Sequence, residues 1–208
     1  MSAIGRGIAW DTARMRQAPD QSDPRRLRTR EALQSAFIVL ALGRRYHEIR
    51  IDDILQASGV GRSTFYEHYA SKDALLVASL DDVLALLARM PTGGADSGHV
   101  TALLQHFWQN RALARSLFQG APLRVVRNAL VAQVEAQLQH SGHRLRIPHR
   151  LAAHVLADGV FSPILAWLSG EAACDAVELA AALGGSSQAA LRGLAAVDRP
   201  ESRGAPTT

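Results

Sequence analysis

The chain has 208 residues, 48% of them hydrophobic and 20% charged, with a net charge of +4. That composition supports a packed core and excludes wholesale disorder. A single cysteine, Cys174, excludes an intramolecular disulfide and fits a reducing compartment.

The charge is unevenly placed. Residues 1–72 hold twelve Arg/Lys against eight Asp/Glu, whereas residues 73–208 hold eleven of each. All the net positive charge therefore lies in the first third, as in a polyanion-facing part joined to a neutral body. The N-terminus lacks the basic stretch, apolar run and cleavage site of a secretory leader. No uncharged apolar run approaches the roughly 18 residues that span a bilayer. A cytoplasmic protein with no membrane partner is expected.

Residues 1–24 show no sustained periodicity and end in "PDQSDP"; they read as a mobile basic arm. From Arg25 the pattern turns helical, with Leu33, Phe37, Leu40 and Ala41 on one stripe. Ile51, Ile54 and Leu55 form a short amphipathic segment closed by Gly59, and Val60, Phe65 and Tyr69 continue the spacing. Ser71 is placed to cap a further helix, with Asp73 favourable in its first turn. Leu and Val recur at helical steps from there to Met90, predicting one helix over about 72–90 that stops at Pro91.

The stretch "PTGGADSG" (91–98) is the clearest loop. Helices are predicted beyond it over about 99–109, 111–119, 122–140, 149–169 and 175–196, with breaks at Gly120, at Ser141-Gly142 and at Gly170. Asp175 and Glu178 have capping-box spacing. The segment "HVLADGVFSPILAWL" (154–168) is apolar on nearly every side, so something must cover it all round. A partner subunit is the expected cover. Pro163 should kink that helix or end its first half. No stretch alternates with period two over strand length, so the expected fold is all-α.

Three short helices with a tight glycine turn before the third describe a helix-turn-helix, whose second motif helix enters a DNA groove while the first crosses the backbone. Phe65 and Tyr69 would anchor that helix, leaving Arg62, Ser63, Tyr66 and His68 facing out. Arginine can grip guanine in a bidentate manner; hydroxyls and imidazoles suit phosphate or base.

Other chemistries have weaker support. The chain has no G-x-S-x-G, no HExxH and no phosphate-cradling glycine loop, so no enzymatic activity and no cofactor are expected. Asp52-Asp53 and Asp81-Asp82 are adjacent pairs whose members point in different directions on a helix. His140, His143 and His149 flank one loop, but Arg144, Arg146 and Arg150 lie among them and would repel a cation, so no metal site is assigned. A nonspecific architectural DNA protein would need basic residues along its whole length; the last two-thirds is neutral.

The runs "TREALQSAFIVLAL" (29–42) and "YHEIRIDDILQASGVGRSTFYEHYASKDALL" (46–76) resemble the DNA-binding domain of the TetR family of bacterial transcriptional regulators. The resemblance implies an N-terminal three-helix helix-turn-helix domain over 25–72. A larger helical effector-binding and dimerisation domain would follow over 73–200, with a flexible tail over 201–208. It implies that Arg62 and Ser63 lie nearest base edges, that Thr64, Tyr66 and His68 contact groove or phosphate, and that Lys72 contacts phosphate. Arg50 stands where the family places a Thr or Ser cap that also touches phosphate; it can reach a phosphate but cannot accept the capping bond. Arg45 replaces a family glycine, and Gly61 replaces the usual Ser cap of the recognition helix.

By the same resemblance the protein is expected to be a homodimeric repressor of a palindromic or near-palindromic operator, released by a small-molecule effector. Control by a protein partner or a metal is the alternative. His106, Phe107, Trp108, Phe118, His154, Asp158, Phe161 and Trp167 supply the chemistry of an effector pocket. Asp158 stands out as a carboxylate among Val155, Leu156 and Val160 that must be paired, exposed or awaiting a cationic ligand. Val160, Ile164 and Leu168 are the candidate dimer-interface positions.

Overall fold

A computed structural model describes residues 24–117 and 120–196. It is all-α: the described residues carry helices, turns and one isolated bridge, Leu145 to Ala195. The arm over 1–23, Phe118 and the tail over 201–208 lie outside the described residues. The chain divides into two compact units between Asp82 and Val83.

The first unit holds α1 (Pro24–Gly43), α2 (Ile51–Ser58), α3 (Arg62–His68) and α4 (Lys72–Ser79). Of the predicted stripe, Leu33, Phe37 and Ala41 are buried and Leu40 is half-buried; α1 packs on α2 and α4, and Ile54, Phe65, Tyr69, Leu75 and Leu76 are buried in the same unit. Between α1 and α2 lies a single 3-10 turn, Tyr46–Glu48, with the extended Arg45 as its N-cap. Glu48 holds that turn by accepting from the Arg45 amide at 3.1 Å. Helix α4 packs on α1 and belongs to this unit rather than to the body that follows.

The helix expected over 72–90 is two helices, α4 and α5 (Asp81–Ala88), broken at Leu80. Two local features explain the break. Ser79 bonds its hydroxyl back to the Leu75 carbonyl at 2.8 Å, and the Leu80 amide bonds Val77 rather than continuing the ladder. Asp81 and Asp82 then occupy a fresh first turn, where carboxylates are favoured.

The second unit continues with α6 (Ser97–Gln109), α7 (Arg111–Leu117), α8 (Ala121–His140), α9 (His149–Ser169) and α10 (Ala176–Leu194). Helix α9 is its centre, packed on α7, α8 and α10, while α10 also packs on α6. The predicted capping box forms: Asp175 accepts from the Glu178 amide at 2.8 Å, and Glu178 from the Asp175 amide at 3.3 Å. Helix α9 runs through Pro163 without ending there. Pro163 and Gly159, the residue one turn before it, are both exposed, so the carbonyl that loses its partner lies on the solvent side of the helix. By length and composition α9 could cross a membrane, but half of its most apolar window is buried within the domain.

Candidate nucleic-acid interface

Gly59 makes the helix-turn-helix corner. It ends α2 with φ of 69°, the left-handed conformation, and its amide caps the Leu55 carbonyl. Only glycine adopts that geometry without penalty. Gly61 begins α3 without a side-chain cap.

The start of α2 is capped in reverse. Arg50 cannot accept from the helix, but Asp53 accepts from the Arg50 amide at 2.8 Å and lies 3.4 Å from the Arg44 guanidinium. The Arg50 hydrogen bond, followed by the charge of Arg44, holds the Asp53 carboxyl below its ordinary value. The Arg50 side chain is thereby left exposed.

On α3, Phe65 is fully buried and Tyr69 just beyond the helix is 4% exposed. Their rings are 6.0 Å apart. Together they orient the helix so that Arg62, Ser63 and Tyr66 form an exposed face, with Thr64 and His68 half-buried on its flank. His68 is therefore less outward than its spacing predicts. Tyr66 is half exposed and set edge-on against Phe65 at 5.3 Å. The Tyr69 hydroxyl is buried with no protein partner.

Two acidic side chains stand at this surface that the sequence pattern does not place there. Glu67 shares the exposed face of α3, and Asp52 on α2 pairs with the Arg62 guanidinium. Neither carries a local signal, because the Arg62 pairing joins residues ten apart across the turn.

Lys72 is engaged within the domain. Its ammonium donates to the carbonyls of Tyr46 and Ile49, each at 2.7 Å, and lies 4.2 Å from the centre of the Tyr46 ring. Burial lowers its pKa. Two of its three donors are thus used by these carbonyls. The Tyr46 hydroxyl in turn bonds Asp73. Burial first, and that bond second, push the Tyr46 hydroxyl far above its ordinary range.

In the second unit the candidate effector residues differ in burial. Phe107, Phe161 and Trp167 are buried in the core. Trp108 is 42% exposed, stacked on Trp167 at 4.8 Å with the Arg111 guanidinium 5.1 Å from its ring. The Trp167 indole donates to the Cys174 carbonyl at 3.0 Å. His106 and His154 are half-buried, and burial lowers the His106 pKa. Asp158 is not waiting for a cation: Arg127 of α8 grips it from two nitrogens, at 2.6 and 2.5 Å. An open cavity of about 260 Å³ lies elsewhere, lined by Arg115, Ser162, Leu165, Ala166, Leu168, Ser169 and Glu171. It shares no residue with the effector set.

The dimer candidates need correction. Val160, Ile164 and Leu168 are each 2% exposed or less, inside their own protomer's core. They cannot meet a partner. The exposed side of α9 carries Leu151, Val155, Gly159, Ser162 and Pro163 instead, with Leu151 and Val155 at least half exposed. Because α9 is apolar on both sides, its pattern did not reveal which side faces inward.

The histidine loop assembles no ligand set. His140 contacts the Ala136 carbonyl, and His149 the His143 carbonyl. Among the described residues no group of three His, Cys, Asp or Glu side chains is arranged to hold a metal.

The family model described as bacterial regulatory proteins, tetR family, matches residues 42–79, from the end of α1 through α4. An uncharacterized HTH-type transcriptional regulator of Bacillus subtilis (strain 168), YxbF, is 52% identical over 62 residues. That match covers 29% of this chain and only 16% of the relative. Two solved structures of NalD, the secondary repressor of the MexAB-OprM multidrug efflux pump in Pseudomonas aeruginosa, share the fold. One is 21% identical over 83% of this chain and 98% of its own, with a TM-score of 0.51. The native form is 20% identical over 86% and 100%, with a TM-score of 0.50. The helix-turn-helix over residues 42–79 thus matches the model of the tetR family of bacterial regulatory proteins, and the all-helical fold behind it is similar to that of the NalD structures.

Proposed function

We propose that this protein is a sequence-specific, double-stranded-DNA-binding transcriptional regulator, working as a cytoplasmic homodimeric repressor released by a small organic effector. The observation that carries the reading is the exposed face of α3. Arg62, Ser63 and Tyr66 stand out from a helix anchored by Phe65 and Tyr69 and set at its angle by Gly59. Arg62 and Ser63 would meet base edges, and Tyr66, Thr64 and His68 would meet the groove wall or phosphate. Arg50 and the remaining Lys72 donor would hold the backbone. The exposed Arg26, Arg28 and Arg30 of α1 extend the basic surface toward the N-terminal arm.

Dimerisation would use the exposed apolar side of α9, around Leu151 and Val155, with the Ala- and Gly-rich outer side of α10 (Ala181, Ala182, Gly185, Ala189). A two-fold pairing of two helices from each protomer buries such faces in a four-helix interface. A dimer reads two half-sites about 34–36 Å apart, or a multiple of that. The effector would be an organic compound that reaches the Trp108–Trp167 stack from its exposed edge. It releases DNA only by favouring the state that binds DNA less well.

The test is selection of bound duplexes from random sequence, followed by affinity measurement across salt concentrations. The expected result is a palindromic motif and a steep loss of affinity with salt. A flat salt response with no enriched motif would overturn the reading.

A further inference from the structure

The pairing of Asp52 with Arg62 has a role that fold stability does not explain. Their side chains are 69% and 57% exposed, and an ion pair that wet contributes little to folding. It does restrict Arg62. A free arginine must surrender its rotamer freedom when it binds, whereas one already held surrenders less.

The geometry leaves the guanidinium able to read. Asp52 takes a hydrogen bond from one terminal nitrogen. The other donors of the planar fork stay outside this pair, enough for the O6 and N7 acceptors of a guanine. Asp53 next door is occupied with the Arg50 amide and Arg44, so the two adjacent carboxylates divide the work. One caps α2, and the other reaches across the turn to α3.

We propose that Asp52 is the positioning residue of Arg62, holding its guanidinium as a guanine-reading fork and so setting the base preference at that position. The inference rests on the DNA-reading function proposed above. It has an electrostatic signature that a merely structural role lacks. A carboxylate beside the DNA surface repels phosphate, so Asp52 costs affinity for every sequence while it sharpens the choice of one. Removing it should therefore weaken discrimination without weakening nonspecific binding.

The experiment selects duplexes from random sequence with wild type, Asp52→Ala, Asp52→Asn and Arg62→Ala, and measures each protein on a scrambled duplex. The Asn variant keeps the shape of Asp52 and serves if the Ala variant loses helicity. The expected result is that the position flattened by Arg62→Ala is flattened by the Asp52 variants too, by about tenfold in base preference. Their affinity for the scrambled duplex should equal or exceed that of wild type. An unchanged preference at that position, or equal weakening on both duplexes, overturns the positioning role alone. A wild-type protein that enriches no motif instead overturns the DNA-reading function beneath it.

Discussion

The Lys72 ammonium lies 4.2 Å from the centre of the Tyr46 ring and donates to the Tyr46 carbonyl at 2.7 Å, binding the start of α4 to the turn between α1 and α2. A second 2.7 Å bond to Ile49 completes the knot. Lys72 is the only lysine in the chain, beside 22 arginines. Two carbonyls and a ring converging on one point suit a compact ammonium, not a planar fork. Lys72→Ala should lower stability by about 2 kcal/mol, the scale of hydrogen bonds to a charged group. Lys72→Arg should restore little of it. Urea unfolding of the three proteins checks this, and an unchanged midpoint in Lys72→Ala would remove the knot from the account.

The corner between α2 and α3 predicts opposite effects from two neighbouring glycines. Gly59→Ala forces an L-residue into the left-handed region and should cost about 1 kcal/mol. Gly61→Ser has open space around it and supplies the missing N-cap, so it should stabilise by a few tenths of a kcal/mol, roughly. Thermal unfolding should separate the two, with the Ser variant melting above wild type.

Asp53 gives the first unit an acid sensitivity. Its carboxyl is held below the ordinary value near 3.8, chiefly by the Arg50 amide. A depressed carboxylate contributes stability above its unfolded pKa and loses it as pH falls through the folded pKa. Asp53→Asn should be less stable than wild type at neutral pH, and the gap should close below about pH 3.8 as the wild-type cap protonates. Circular dichroism melts across pH provide the reading. A gap independent of pH would mean that the charge of Asp53 contributes nothing.

Substitutions on the two sides of α9 should separate assembly from folding. Leu151→Asp or Val155→Asp, on the exposed side, should give a folded monomer. Ile164→Asp places an unpaired charge in a fully buried position and should unfold the domain. Sedimentation and far-UV circular dichroism together distinguish these outcomes. A folded dimer carrying Leu151→Asp would move the interface away from this face.

The limits of what the sequence reveals follow a physical line. Helix ends with their own chemistry were legible: the Ser71 cap, the Asp175–Glu178 box and the Gly59 stop each act within a turn of the residue that signals them. Faces were legible where a helix has a polar side, as with Phe65 opposite Arg62 and Tyr66. Helix α9 has no such side, so its pattern alone does not tell whether Val160, Ile164 and Leu168 face the core or a seam. Pairings across long separations left no local trace either. Lys72 with Tyr46, Arg62 with Asp52 and Arg127 with Asp158 join residues 26, 10 and 31 apart, and only the fold brings them together.

A chain with a single lysine has a single bond that a lysine-specific protease can cut. Here that bond, between Lys72 and Asp73, opens a helix, and the side chain the protease must seize is half-buried and tied to two carbonyls. Cleavage can proceed only through molecules in which the ammonium has let go. The rate of that one cut, read as two fragments on a gel, therefore counts how often α4 comes away from the Tyr46 turn.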